Sequence, residues 1–129
     1  MLRGTYYRNL GRTGDLTIPK RLRAGLAAPL VVWCHEHPPY FVSATDAHHL
    51  PHASLRPSTL SSSGPVHLLR IDSRGRILLP ADLRSLAGLA DGVPVVVVGV
   101  RHVIEIWSIG AWTAELQRLL LSGSRESQE

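Results

Sequence analysis

The sequence predicts a mainly β fold with short helices, an α+β body in which two halves of one chain interlock. Three observations predict it. The first is a repeat: LGRTGDLTIPKRLR at Leu10–Arg23 returns as IDSRGRILLPADLR at Ile71–Arg84, sixty-one positions later. The second is that both copies read as strand, glycine turn, strand, proline, helix. The third is that the order of elements continues downstream. AGLA occurs at 24–27 and 87–90, PLVVWC (29–34) is answered by PVVVVGV (94–100), and YFVS (40–43) by IEIWS (104–108). The offset drifts from 61 to 63 to 65, as short insertions between elements produce.

Each element has a local cause. Gly14/Gly75, Pro19/Pro80, Leu22/Leu83 and Arg23/Arg84 are identical between copies, and Leu10/Ile71, Leu16/Ile77 and Ile18/Leu79 stay apolar. A strand (Tyr6–Leu10 or Val66–Asp72) meets a glycine turn and a second strand (Leu16–Ile18 or Ile77–Leu79). In Asp72-Ser73-Arg74-Gly75 the Asp stands first and the Gly fourth, as a type I turn favours. Proline cannot donate to a sheet ladder but suits a helix start, so helices begin at Pro19 and Pro80. They stop near Gly25 and Gly88. A β-branched strand, a turn and another strand complete each unit.

A unit of roughly 45 residues cannot bury a sufficient core alone, so the halves are expected to pack into one another. The expected division is a first unit at 1–49, a linker at 50–65, a second unit at 66–121 and a tail at 122–129. The linker, LPHASLRPSTLSSSGP, is rich in Pro and Ser. Trp112, Leu116, Leu119 and Leu120 fall at helical spacing, which predicts an amphipathic helix over Ile109–Leu121 and a frayed SGSRESQE tail.

Composition narrows the function. Hydrophobic residues at 44% and charged residues at 19% describe an ordinary globular chain. The longest apolar run, Val93–Val100, is far short of the ~20 residues that span a bilayer. The opening MLRGTYYRNL has no apolar segment of the kind a secretory leader needs. One cysteine, Cys34, rules out an internal disulfide and fits a reducing cytoplasm.

The net charge is +4, and it is concentrated. Residues 1–30 hold Arg3, Arg8, Arg12, Lys20, Arg21 and Arg23 against Asp15 alone; residues 70–84 hold Arg70, Arg74, Arg76 and Arg84 against Asp72 and Asp82. Bases gathered on the repeated units are the footprint of a polyanion-binding surface. A solvated basic face without a partner is the plain alternative.

The pattern Asp-x-x-Gly-Arg-apolar-x-apolar-Pro-x-x-Leu-Arg, twice per chain, resembles the MraZ family of bacterial regulators, built from two SpoVT-AbrB units. RIDSRGRILLPADLR, the VVVVG strand, IEIWS and the helix after it fall in family order, as does the opening GTYYRNL with TIPKRLR. The resemblance implies a tandem swapped-hairpin β-barrel formed by the two halves and ring-shaped homo-oligomers. It implies binding to double-stranded DNA at direct repeats in a promoter, usually that of a cell-division and cell-wall gene cluster. It implies a regulator, in the sense of a repressor, working in the cytoplasm on the nucleoid, with no catalysis, no cofactor, no small-molecule substrate and no membrane.

On that resemblance Arg74 and Arg76 are expected to contact DNA, with Asp72 orienting Arg76. Arg12, Arg8, Lys20 and Arg21 are expected to give secondary phosphate contact. Two features depart from the family pattern: a shorter linker, and Gly11 and Asp15 where the second copy has Asp72 and Arg76. Asp15 would repel phosphate where an Arg should attract it, so the second half is expected to carry most of the contact. The alternative function is an AbrB-scaffold interaction protein that has lost direct DNA binding and acts through a protein partner or an intact relative.

Two other motifs attract attention. CHEHPPY (Cys34–Tyr40) with HHLPH (His48–His52) gathers zinc-type ligands, but without finger spacing beyond His48/His52, and a pH-responsive loop fits better. Cys34 beside a His has two parts of a thiol nucleophile but no identifiable third. Trp33, Trp107 and Trp112 are expected in core or subunit contacts.

Overall fold

The computed structural model describes residues 2–26, 29–35, 37–46, 65–89 and 94–128, with side chains described as far as residue 122. Among the described residues the fold is mainly β with three helices. The strands are β1 (Leu2–Asn9), β2 (Asp15–Thr17), β3 (Leu30–Cys34), β4 (Val42–Asp46), β5 (Val66–Leu69), β6 (Arg76–Leu78), β7 (Pro94–Arg101) and β8 (Val103–Ser108). The helices are α1 (Lys20–Arg23), α2 (Ala81–Leu86) and α3 (Ile109–Gln128).

Both prolines sit at the residue preceding the helix, Pro19 at φ −53°, ψ 140° and Pro80 at φ −61°, ψ 147°. Leu22 and Leu83 anchor the short helices, both fully buried. The second helix ends as the sequence predicts: Gly88 takes φ +68°, its N–H donates to the Ser85 carbonyl (3.3 Å), and Leu89 N–H donates to the Arg84 carbonyl (2.8 Å). That pair of bonds satisfies the last carbonyls of the helix.

The strands form a six-stranded sheet in the order β1-β7-β8-β4-β3-β5 and a two-stranded ribbon, β2-β6, all antiparallel. Read backwards with the halves exchanged, the six-stranded order is unchanged. Four pairings, β1 with β7, β5 with β3, β4 with β8 and β2 with β6, join one half to the other. In the ribbon, Ile18 N–H donates to the Gly75 carbonyl (2.8 Å) and Leu79 N–H to the Gly14 carbonyl (2.9 Å). Neither half could pair its own ribbon strand.

The main core lies between one face of the sheet and the ribbon with α1 and α2. Leu16, Ile18, Leu22, Ile77, Leu79 and Leu83 meet Val32, Val42, Val95, Val97, Ile104 and Ile106 there. A smaller cluster of Phe41, Val96, Val98 and Trp107 sits on the opposite face, with Ile109, Ala111 and Trp112 of α3 against it.

Several boundaries depart from the sequence expectation. The ribbon strands begin one residue earlier, because Asp15 and Arg76 themselves close the turns, Asp15 O accepting from Gly11 N and Arg76 O from Asp72 N, 2.9 Å each. The helix α3 continues to Gln128 rather than fraying at residue 122. Its first turn is fixed by Trp112 against Trp107, and Glu115 pairs with Arg118 further along. Its amphipathic stripe is not buried within the chain: Leu116, Leu119, Leu120 and Leu121 are exposed. The expected linker lies outside the described residues except for Pro65.

Candidate nucleic-acid interface

The ribbon turns Leu16 and Ile77 inward, so Asp15, Thr17, Arg76 and Leu78 stand on its outer face. A glycine turn adjoins each strand, and the two turns share a backbone. Gly14 N donates to Gly11 O and Gly75 N to Asp72 O, both at 3.0 Å. Gly14 (φ +90°) and Gly75 (φ +79°) take the left-handed region, which a side chain would strain.

The second turn is charged and ordered. Asp72 Oδ1 accepts from the backbone N–H of Arg74 (2.9 Å) and of Arg76 (2.8 Å), and Oδ2 accepts from Arg76 Nε (3.3 Å). The Arg76 N–H chiefly, then that of Arg74 and the Arg76 guanidinium, hold the Asp72 carboxyl below its usual pKa. Arg76 is thus tethered through Nε while two-fifths of its side chain stays exposed. Arg74 is exposed at the tip.

The first turn reaches a similar end by another route. A Cβ on Gly11 would overlap the Asp15 carboxylate, so that carboxylate occupies the space above Gly11, where the equivalent residue of the second turn bears its own side chain. Thr13 Oγ1 donates to Asp15 Oδ1 (2.9 Å). The acid has moved to the opposite side of its turn, where its side-chain partner is the Thr13 hydroxyl. Thr13, Asp15, Arg70, Asp72, Arg76, Ile77 and Leu78 line a depression of about 410 Å³. Its two acids balance its two bases. Arg12 and Arg74 on the two turns, and Lys20 and Arg21 on α1, are exposed bases outside its lining.

Arg8 sits elsewhere: on β1, its guanidinium 5.7 Å from the Tyr6 ring centre and donating to the Tyr7 carbonyl (2.9 Å). Arg23 and Arg84, absent from the expected site, support it from below. The Arg23 guanidinium lies against Gly75 of the other half, with its Nε buried and unbonded; Arg84 lies against Gly14 and its Nε donates to the Leu79 carbonyl (3.1 Å). The signal was present, since both close the repeated segment as identical residues.

Cys34 ends β3 and His35 follows it, its N–H donating to the Phe41 carbonyl (2.9 Å), so Cys34 packs in the main core while His35 stacks on Phe41 on the opposite face (4.6 Å). They cannot share a metal from opposite sides of a sheet. His48, His49 and His52 lie outside the described residues. Among the described residues no three His, Cys, Asp or Glu groups are placed to hold a metal ion. Among the described residues no helix is long and apolar enough to cross a membrane.

Comparison with known proteins matches residues 64–129 to the MraZ protein family model, described as antitoxin-like. Over its full length the chain is 32% identical to the transcriptional regulator MraZ of Kocuria rhizophila, covering 96% of that protein. It is 30% identical to the Micrococcus luteus regulator of that name over 90% of this chain and 87% of the relative. A Thermomicrobium roseum relative is 41% identical over 61 residues. All three relatives carry the name of transcriptional regulators.

Proposed function

The chain belongs to the MraZ family, and on that premise we propose that it is a DNA-binding transcriptional repressor that reads its operator through the β2–β6 ribbon and its turns. The observation that carries this reading is the Asp72–Arg76 pair. A guanidinium held through Nε keeps its outer nitrogens for a phosphate or a guanine edge, and loses less freedom on binding than a free one. A two-stranded ribbon is also narrow enough to enter a major groove.

Arg74 and Arg76 contact DNA, Asp72 orients Arg76, and Arg12, Lys20 and Arg21 add phosphate contacts, with Arg8 weaker because its own strand engages it. Arg23 and Arg84 act as positioning residues beneath the turns. The cross-half pairings support reading the body as two SpoVT-AbrB-like units, 1–49 and 66–121, in a tandem swapped-hairpin barrel. The exposed leucines of α3 support assembly of several copies, ring-shaped as in the family. The work is cytoplasmic, on the nucleoid, with cell-division and cell-wall genes as targets.

The test is a fluorescence-anisotropy titration with the DNA upstream of the chain's own gene at two salt concentrations. Affinity should fall steeply with salt, since each neutralised phosphate adds to the slope. The same leucines favour a second reading, an interaction protein without direct DNA contact. A flat salt response, or no DNA binding, would select it.

A further inference from the structure

We propose that the slot between Trp33 and Glu105, on the sheet face opposite the main core, is a binding site for a guanidinium or alkylammonium group. The slot follows from register. Trp33 lies across from Ser43, and Ser43 across from Glu105, so the three side chains stand in one row on one face. Opposed Cβ atoms are about 5 Å apart, which separates Trp33 from Glu105 by roughly 10 Å with only a serine between them. Ser43 is buried on the floor.

The next row is aromatic. Phe41 stacks on His35 (4.6 Å between centroids) and on Trp107 (4.2 Å), and Trp112 meets Trp107 edge-on (5.4 Å). His35 and Phe41 of this row wall one side of a cavity of about 330 Å³, whose lining also includes Trp33, Ser43, Arg101 and Glu105.

The chemistry of the slot is selective. Trp107 Nε1 donates to Glu105 Oε1 (3.1 Å), which holds the carboxylate against the aromatic wall and leaves Oε2 for a ligand. Burial pushes the Glu105 carboxyl up, opposed by that indole and by His35, with Glu115 of α3 adding a small upward push. A neutral apolar ligand would strip water from the carboxylate without replacing it, and an anion would be repelled. A cation satisfies the carboxylate and also lies on an indole face. Arg101 adds a like charge at the rim, so selectivity rests on Glu105 and Trp33 rather than on the net charge of the slot.

Two sources offer this chemistry, a basic side chain of a second copy of the chain and a free amine. The full chain is titrated with N-ethylguanidinium, and with N-ethylurea as neutral isostere, while tryptophan fluorescence is followed. A saturable change with the guanidinium and none with the urea is expected. Glu105→Gln, which keeps an acceptor for Trp107, should weaken binding at least tenfold. Ser43→Val, which fills the slot and leaves the carboxylate, should do the same. Native mass then assigns the source: a smaller assembly in both variants points to a second copy, an unchanged assembly with lost probe binding to a free amine. The proposal is overturned if neither variant changes probe affinity or native mass, or if the urea binds as tightly as the guanidinium.

Discussion

Leu16 of β2 lies directly across from Ile77 of β6, and the two occupy the same place in the two copies of the repeat. An element paired with its own counterpart marks an internal two-fold relationship. Gly14 and Gly75, with Leu79 and Ile18, obey the same relationship. The backbone is therefore symmetric about the ribbon while the charges on its outer face are not, and this asymmetry sets the first prediction.

Arg76→Ala should weaken promoter binding at least tenfold, in line with the ~1–3 kcal/mol of a good bidentate contact. Asp15→Ala should leave it unchanged or improve it, because a carboxylate beside phosphate is lost. Fluorescence anisotropy at fixed salt ranks the two. The reverse ranking would reject the assignment of DNA contact to the second turn.

Gly75→Ala should destabilise more than Gly11→Ala. The first forces a left-handed alanine, about 1–2 kcal/mol, and collides with the Arg23 guanidinium. The second meets only the flexible end of Asp15. Calorimetry should show several degrees between the two midpoints. Equal midpoints would remove Arg23 from its supporting role.

Acid should act through Asp72. Its folded pKa lies below the unfolded value, so its stabilising effect is complete above the ordinary carboxylate range and disappears as pH falls through the folded value. Asp72→Asn should therefore flatten the loss of stability below about pH 4, seen as urea midpoints across a pH series. An unchanged slope would count against the pairing with Arg76.

Trp112→Ala should loosen α3. The indole is its main attachment to the sheet, edge-on to Trp107, and most of the described helix beyond it is exposed. Amide exchange in α3 should accelerate while exchange in β2 and β6 stays slow. Uniform acceleration would show that α3 belongs to the global fold.

Cys34 should be inert. Burial pushes its thiol up, and the thiolate is the reactive form. A thiol reagent at neutral pH should modify the native chain orders of magnitude more slowly than the urea-unfolded chain. Comparable rates would place the thiol at the surface.

Much of the fold was legible in the amino acids because its causes are local. Turn glycines, strand-ending prolines and the buried Leu22 and Leu83 act within a few residues, and duplication printed each signal twice. The Asp72–Arg76 pair, four positions apart across a turn, was readable for the same reason. Asp15 was read as a missing arginine, and its place above Gly11 was not foreseen, because the turn sequence does not say which way a carboxylate folds back.

What tertiary structure alone decided is every relationship between distant segments. The match of β1 to β7, the placing of Arg23 against Gly75 and the pairing of Ser43 with Glu105 all depend on packing between segments dozens of residues apart. A strand's alternation states which residues share a face but not which neighbour completes it. A one-residue slip in pairing would carry Glu105 to the opposite face of the sheet, and only packing of the whole core excludes it.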